Sequence, residues 1–89
     1  MAKRSRLEII KDILKIIQEN KNSIKITPLL RRSNISSSKF REYFNELIEK
    51  KFIKEIGTQN GKKISLTDKG FQYLEKYKTI VGFIEEFEL

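Results

Sequence analysis

The chain has 89 residues, with 19 Lys and Arg against 12 Asp and Glu, a formal net charge of +7, and neither cysteine nor histidine. This length fits a single domain. The missing residue types exclude disulfides, cysteine or histidine zinc sites, Ser-His catalysis and histidine general bases. We therefore expect no enzymatic activity, no cofactor and no small-molecule substrate.

The positive charge is concentrated in the first half of the chain. Residues 1–41 contain eleven basic and three acidic residues, whereas residues 79–89 contain three acidic residues and no basic one. A polyanion would therefore bind the first half. The alternative is a generally lysine-rich surface, as in thermophile proteins.

Segments that would direct the chain into or across a membrane are not expected. The basic start is followed by a charged amphipathic pattern instead of an apolar signal-peptide region, and no run of about 20 apolar residues occurs. The sequence therefore predicts a cytoplasmic protein with no membrane partner.

The first third of the chain predicts two helices. Ser5 followed by Glu8 forms a capping-box pattern that opens a helix reaching about Glu19. Residues 24–26 alternate like a very short strand. Thr27-Pro28 then predicts a second helix start, with threonine as the cap and proline as the first helical residue.

A turn at Ser33-Asn34 and a new helix start within residues 36–38 make the second helix short. The third helix follows with an apolar stripe at helical spacing. Its members are Phe40, Tyr43, Phe44, Leu47 and Ile48. Two helices separated by a tight turn, the second one longer, predict a helix-turn-helix.

A β-hairpin and a long helix complete the predicted order. Residues 52–56 and 62–66 read as strands around a turn at residues 57–61, in which Asn60-Gly61 is a favoured hairpin pair. Thr67 then caps a last helix that runs to about Phe87. We predict an α+β, mostly α, winged helix-turn-helix domain over residues 1–67 and a coiled-coil dimerisation helix over residues 68–89.

Several segments resemble known archaeal winged-helix proteins. Residues 46–54, the Leu-Thr-Asp-Lys-Gly run at 66–70 and Tyr73-Leu74 match their common pattern. The basic start, residues 7–10 and residues 77–87 extend the resemblance over nearly the whole chain. With these segments included, the chain is similar to a chromatin-protein family of small crenarchaeal DNA-binding proteins. The resemblance implies a homodimer joined by an antiparallel coiled coil of the last helices. It also implies binding of double-stranded DNA with little sequence preference.

The exposed side of the third helix supplies the candidate DNA contacts. Arg41 and Asn45 can pair bidentately with guanine and adenine edges. Ser37, Ser38 and Lys39 lie in the first turn, where backbone N–H groups attract phosphate. Glu42 and Glu49 on the same side oppose deep insertion, although glutamate can accept a hydrogen bond from cytosine.

Other basic or polar residues extend the candidate DNA surface. One of Arg31 and Arg32 should reach a phosphate, or else interact with the helix dipole. The wing residues are expected to reach the neighbouring groove or backbone. A basic arm either grips DNA or is a disordered end. These further candidates are Asn60, Lys62 and Lys63 in the wing, and Lys3 and Arg4, with Arg6, in the arm.

The last helix contains a heptad-type seam. Its residues step by 4, 3, 4 and 3 through Tyr73, Tyr77, Ile80, Ile84 and Phe87. Val81 and Phe83 flank the seam, and Val81 is included in the predicted dimer interface. A helix of about twenty residues is ~30 Å long, against a radius of gyration of ~12 Å for a compact domain this size, so its end must project. A second copy would cover the projecting apolar residues.

Three functions remain open from the sequence. The first is sequence-tolerant DNA binding by a homodimer, associated with the nucleoid, in chromosome organisation or broad transcriptional regulation. The second is an operator-specific repressor. The third, from a different class, is a winged helix used for protein–protein interaction, against which the polar third-helix face and basic first half argue.

Overall fold

A computed structural model describes residues 4–89, so Lys3 lies outside the described residues. Within them the chain forms four helices and one antiparallel pair of strands. The elements are α1 (Arg6–Glu19), α2 (Ile26–Ser33), α3 (Ser37–Glu49), β1 (Ile53–Thr58), β2 (Gly61–Leu66) and α4 (Asp68–Glu86). This order confirms the predicted α+β, mostly α, winged helix-turn-helix class.

Side-chain caps begin three of the helices, as the sequence predicts. The Ser5 hydroxyl accepts a hydrogen bond from the Glu8 backbone N–H at 3.2 Å. Ser36 accepts from the Lys39 N–H at 3.3 Å, and Thr67 accepts from the Gly70 N–H at 3.2 Å. Each cap satisfies one of the N–H groups that have no partner within the helix.

The start of α2 differs from the prediction. The cap position is Lys25, which makes no side-chain capping bond, and the helix begins at Ile26. The predicted strand at 24–26 is a single bridge, in which Ile24 donates to the Ile64 carbonyl at 3.1 Å and accepts from its N–H at 2.7 Å. Because this tertiary pairing fixes the backbone at Ile24, α2 starts shortly after it, at Ile26. Pro28 is then the third helical residue, where an N–H would still lack a helical partner.

The wing hairpin is tighter than predicted. Gly57 lies within β1 opposite Lys62, and Thr58 pairs with Gly61 across a two-residue loop. The Thr58 hydroxyl accepts from the Asn60 N–H at 3.2 Å and donates to the Gly61 carbonyl at 2.6 Å. The positive φ of the turn, +109°, falls on Gly61. Glycine adopts this conformation without steric cost.

A single hydrophobic core joins all of these elements. It is made of buried residues from α1, α2, α3 and both strands: Ile10, Ile13, Leu14, Ile17, Ile24, Leu29, Phe40, Phe44, Leu47, Ile53, Ile64 and Leu66. The first part of α4 packs on it through the half-buried Phe71, Tyr73 and Leu74. Gly70 is buried, and a Cβ there would overlap the Phe52 carbonyl oxygen.

The second part of α4 extends away from this core. Residues 79–89 are exposed except for the half-buried Val81. The radius of gyration is 13.7 Å and the longest dimension is 49 Å, whereas a compact domain of this length has a radius of about 12 Å. The projection predicted from the helix length is therefore present. Among residues 4–89, no helix combines the length and apolar character that crossing a bilayer requires.

Candidate nucleic-acid interface

One side of α3 presents five polar side chains to solvent around a shallow depression. These residues, called the α3 face below, are Ser37, Ser38, Arg41, Glu42 and Asn45. All five are exposed, whereas Phe40, Phe44 and Leu47 on the other side are buried. The rings of Phe40 and Phe44 stack with centroids 5.7 Å apart. The apolar stripe therefore anchors the helix and fixes which side faces outward.

An ionic cluster holds α3 against α1. Glu46 pairs with Arg6, and the Lys50 ammonium donates to the same carboxylate oxygen at 2.9 Å. The hydrogen bonds from Arg6 and Lys50 lower the pKa of Glu46 to about 2. The Arg6 guanidinium also lies 5.8 Å from the centre of the Tyr43 ring. Arg6, which the sequence places in a basic arm, thus contributes to the orientation of α3.

The beginning of α3 combines hydroxyls with positive charge. Ser36 and Ser38 lie with their hydroxyl oxygens 3.5 Å apart, and the Lys39 ammonium is 3.8 Å from the Glu42 carboxylate. Both members of this ion pair are largely exposed. Water therefore screens the pair strongly, and it contributes little to stability. A phosphate could compete for Lys39 at small cost.

The last turn of α2 carries two arginines next to the left-handed residue Asn34, which ends the helix. Arg31 and Arg32 are both exposed. The Arg32 guanidinium lies 3.4 Å from the Asn20 side-chain oxygen. This distance exceeds the usual 2.7–3.2 Å range, so the bond is weak. Both arginines retain donors for another partner.

Arg4 has an internal role that the sequence does not reveal. Its guanidinium donates to the Asp12 carboxylate at 2.7 Å and to the Ser33 and Asn34 carbonyls at 3.0 and 3.1 Å. These carbonyls belong to the end of α2, where helical carbonyls lack partners. Arg4 thus closes α2 against α1, and its contact with DNA stays a prediction.

The wing places its polar residues around the hairpin. Asn60 lies in the two-residue loop, and Lys62 is exposed with its ammonium 3.7 Å from the Glu55 carboxylate. Lys63 is half-buried and pairs with Ile56 across the strands. The loop and Lys62 are therefore the more accessible part of the wing.

The predicted dimer residues divide into two groups. The Tyr73 hydroxyl donates to the Leu7 carbonyl at 2.8 Å, and its ring lies edge-on to that of Phe52 with the centroids 5.7 Å apart, so Tyr73 packs within its own chain. Burial raises the pKa of its hydroxyl. Tyr77 is half-buried, with the Lys11 ammonium 5.6 Å from its ring centre. Ile80, Ile84 and Phe87 are exposed.

Phe83 is an exposed apolar residue that the predicted seam leaves out. It is 55% exposed, and its ring lies 4.8 Å from that of Phe87. The i, i+4 spacing of the two phenylalanines is the signal that would have included it. Among residues 4–89, no group of three or more acidic side chains is arranged to hold a metal ion.

A helix-turn-helix followed directly by a β-hairpin defines a winged helix. A family model described as winged helix-turn-helix matches residues 3–85, and the chain belongs to that family. No match is found among curated protein sequences.

Solved structures share the fold at low sequence identity. Sso10a-2, described as a DNA-binding protein from Sulfolobus solfataricus, has a TM-score of 0.75 and 19% identity, covering 96% of this chain and 86% of its own. F93 from STIV, described as a winged-helix DNA-binding protein, has a TM-score of 0.73 and 24% identity, covering 89% and 91%. F-93 of SSV1 has a TM-score of 0.67 and 21% identity, covering 96% and 99%.

Proposed function

We propose that this protein is a homodimeric, largely sequence-tolerant binder of double-stranded DNA that acts in chromosome organisation or broad transcriptional regulation, without enzymatic activity. The observation that carries the proposal is the α3 face, which exposes Arg41 and Asn45 on a chain with a net charge of +7. Two structural neighbours described as DNA-binding proteins support it.

The contacts divide by chemistry. Ser37, Ser38 and Lys39 at the start of α3 suit phosphate oxygens, because the helix N-terminus adds backbone N–H donors. Arg41 and Asn45 suit base edges, because a recognition helix reads bases with its first turns. Arg31 and Arg32 suit the sugar-phosphate backbone. Asn60, Lys62 and Lys63 of the wing suit an adjacent groove.

Two features favour sequence tolerance over strict base reading. Lys39, Arg31, Arg32 and Lys62 are exposed charges suited to phosphates, and phosphate contacts carry no sequence information. Glu42 sits within the α3 face and is 72% exposed, so its carboxylate opposes close approach of the DNA backbone.

The exposed apolar residues of α4 support dimerisation through this helix. Ile80, Ile84 and Phe87 project from the domain, and a contiguous apolar surface on a protruding helix favours association. We propose that residues 1–67 form the DNA-binding domain and residues 68–89 the dimerisation helix. Val81 contributes at the edge of that interface. Two DNA-binding surfaces in one dimer would raise affinity through avidity.

Duplex binding over a series of salt concentrations tests DNA binding. Fluorescence anisotropy on scrambled and genomic duplexes should give affinities within about tenfold of each other, falling steeply with salt because about five phosphates per subunit are neutralised. A thousandfold preference for one site would instead assign the protein to operator-specific repressors. Binding to neither duplex would contradict the proposal and favour a protein-interaction module.

The double variant Ile80→Asp, Ile84→Asp tests the role of dimerisation. Two buried carboxylates in the seam would cost several kcal/mol, so we expect a folded monomer. Thr79→Asp adds the same type of charge at an exposed position beside the seam and should stay dimeric. Sedimentation gives the mass, circular dichroism the helicity, and a two-duplex pull-down the bridging activity. A monomer that binds DNA as tightly as the parent would contradict the link to avidity.

A further inference from the structure

We propose that Asn60 at the tip of the wing is a site of spontaneous deamidation, in which the Gly61 backbone nitrogen converts its side-chain amide to a carboxylate. The conversion consumes water and needs no enzyme. Its consequence for DNA binding rests on the proposed function, because it requires that the wing contacts DNA. The chemical step itself does not depend on that contact.

The reaction uses the residue that follows Asn60. The Gly61 nitrogen attacks Cγ of Asn60, the bond from Cγ to Nδ2 breaks, and the amide leaves as ammonia with the proton of the Gly61 N–H. The product is a cyclic succinimide. Water then opens the ring at either carbonyl carbon, which gives aspartate or, with the main chain rerouted through Cγ, isoaspartate. The overall change is the uptake of water and the release of ammonia.

Glycine at position 61 leaves its nitrogen open to the attacking step. The chain has five asparagines, and only Asn60 precedes a residue without a side chain, since the others precede lysine, serine, isoleucine and glutamate. A Cβ built on Gly61 would meet no atom within 4 Å beyond the adjacent residues. The space around this nitrogen therefore accommodates the ring and the water that opens it.

The wing tip leaves the Asn60 side chain without an internal partner. The Thr58 hydroxyl accepts from the Asn60 N–H at 3.2 Å and donates to the Gly61 carbonyl at 2.6 Å. These bonds hold the backbone of the exposed two-residue loop, but none from residues 4–89 reaches the Asn60 side-chain amide. Exposed loops open locally at a small cost compared with global unfolding. The backbone can therefore rotate and bring the reacting atoms together.

Two other asparagines are held more firmly and provide internal references. Asn22 precedes serine, but its Oδ1 accepts from the Leu66 N–H at 2.7 Å and its carbonyl accepts from the Ser65 hydroxyl at 2.6 Å. Asn45 lies within α3, where the N–H of the next residue belongs to the helical ladder. Sequence and structure thus both favour reaction at Asn60.

The new carboxylate would lie next to the basic residues of the wing. Lys62 and Lys63 follow the loop directly, and the conversion removes one unit from the net charge of +7. A carboxylate in this position repels phosphates and replaces an amide that can donate hydrogen bonds. Isoaspartate also adds a methylene group to the main chain of the loop. Both products should therefore weaken the contact of the wing with DNA.

Ageing of the intact protein below its melting temperature tests the chemistry. In peptide maps by mass spectrometry, aspartate and isoaspartate at position 60 should accumulate about tenfold or more faster than at Asn22 or Asn45, since a small difference in barrier changes a rate tenfold. Asn60→Gln is the control, because its longer side chain must form a larger ring, and it should stay unmodified. No conversion at position 60, or equal rates at the three asparagines, would overturn the proposal.

Duplex-binding anisotropy tests the consequence. Asn60→Asp reproduces one product and should weaken binding by about threefold or more, whereas Gln18→Glu makes the same change at an exposed position of α1 and should weaken it less. The aged parent should lose affinity in proportion to its modified fraction. Equal losses from the two variants would overturn the effect on DNA binding. A fresh parent that binds no duplex would instead contradict the proposed function, and the peptide maps would still decide the modification.

Discussion

Arg6 at the beginning of α1 forms an ion pair with Glu46 near the end of α3, forty residues away in the sequence. Lys50 contributes a second bond to the same carboxylate. The pair connects the helix that carries the α3 face to the helix that supplies most of the core. The orientation of the α3 face is therefore set by charge as well as by the buried stripe of Phe40, Phe44 and Leu47.

The ion pairs of Glu46 should make the stability of the fold depend on pH. The pKa of Glu46 is lowered to about 2 in the folded protein, below the value of an unperturbed carboxyl, so the pair stabilises the fold at neutral pH and loses this effect as pH falls toward 2. Glu46→Gln should lower the melting temperature at pH 7, with the difference from the parent disappearing as pH approaches 2. Glu49→Gln, on the exposed side of the same helix, is the control. A difference that stays constant from pH 7 to pH 2 would contradict this account.

Alanine substitution at the two glycines of α4 should have opposite effects on stability. At Gly70 a Cβ would overlap the Phe52 carbonyl and lie 3.3 Å from the Leu66 side chain, so Gly70→Ala should destabilise by about 1–3 kcal/mol. At Gly82 a Cβ would meet no atom within 4 Å beyond the adjacent residues and the backbone of its own helix, and Gly82→Ala should stabilise by up to about 1 kcal/mol. Urea unfolding at matched protein concentration measures both. Destabilisation by Gly82→Ala would show that a partner backbone approaches there.

Substitution of Arg4 should affect mainly the stability of the fold, whereas substitution of Arg31 should affect mainly DNA binding. Arg4→Gln removes three bonds that close α2 against α1, so it should lower stability by about 1–2 kcal/mol. Arg31→Gln should leave stability nearly unchanged but reduce the slope of log affinity against log salt by about one. Thermal melts and salt-dependent anisotropy, taken well below the melting temperature, give the two quantities. A large loss of DNA affinity in Arg4→Gln alone would contradict this separation and favour the predicted contact of Arg4 with DNA.

Local signals account for what the sequence predicted well. The Ser5, Ser36 and Thr67 caps each bond within three residues, so their helix starts are visible as short patterns. The projection of α4 follows from its length alone. The order of the helices and strands along the chain then indicates the winged helix-turn-helix fold.

Tertiary contacts account for what the sequence missed. The beginning of α2 depends on the bridge between Ile24 and Ile64, forty residues apart, whereas the local pattern alone predicts Thr27 as the cap. The roles of Arg4 and Arg6 depend on partners 8 to 40 residues away. A basic residue near the start of a DNA-binding chain looks the same in sequence whether it meets a phosphate or a helix end.

Charge reversal at matched positions tests the central claim that the α3 face binds duplex DNA. Arg41 lies on that face, whereas Lys78 lies in a groove between α1 and α4, and both side chains are exposed. Arg41→Glu and Lys78→Glu change the net charge equally, so general electrostatics cannot separate them. In duplex-binding anisotropy, Arg41→Glu should weaken binding by about tenfold or more and Lys78→Glu by no more than about threefold. Equal losses from the two variants would contradict a DNA interface on α3.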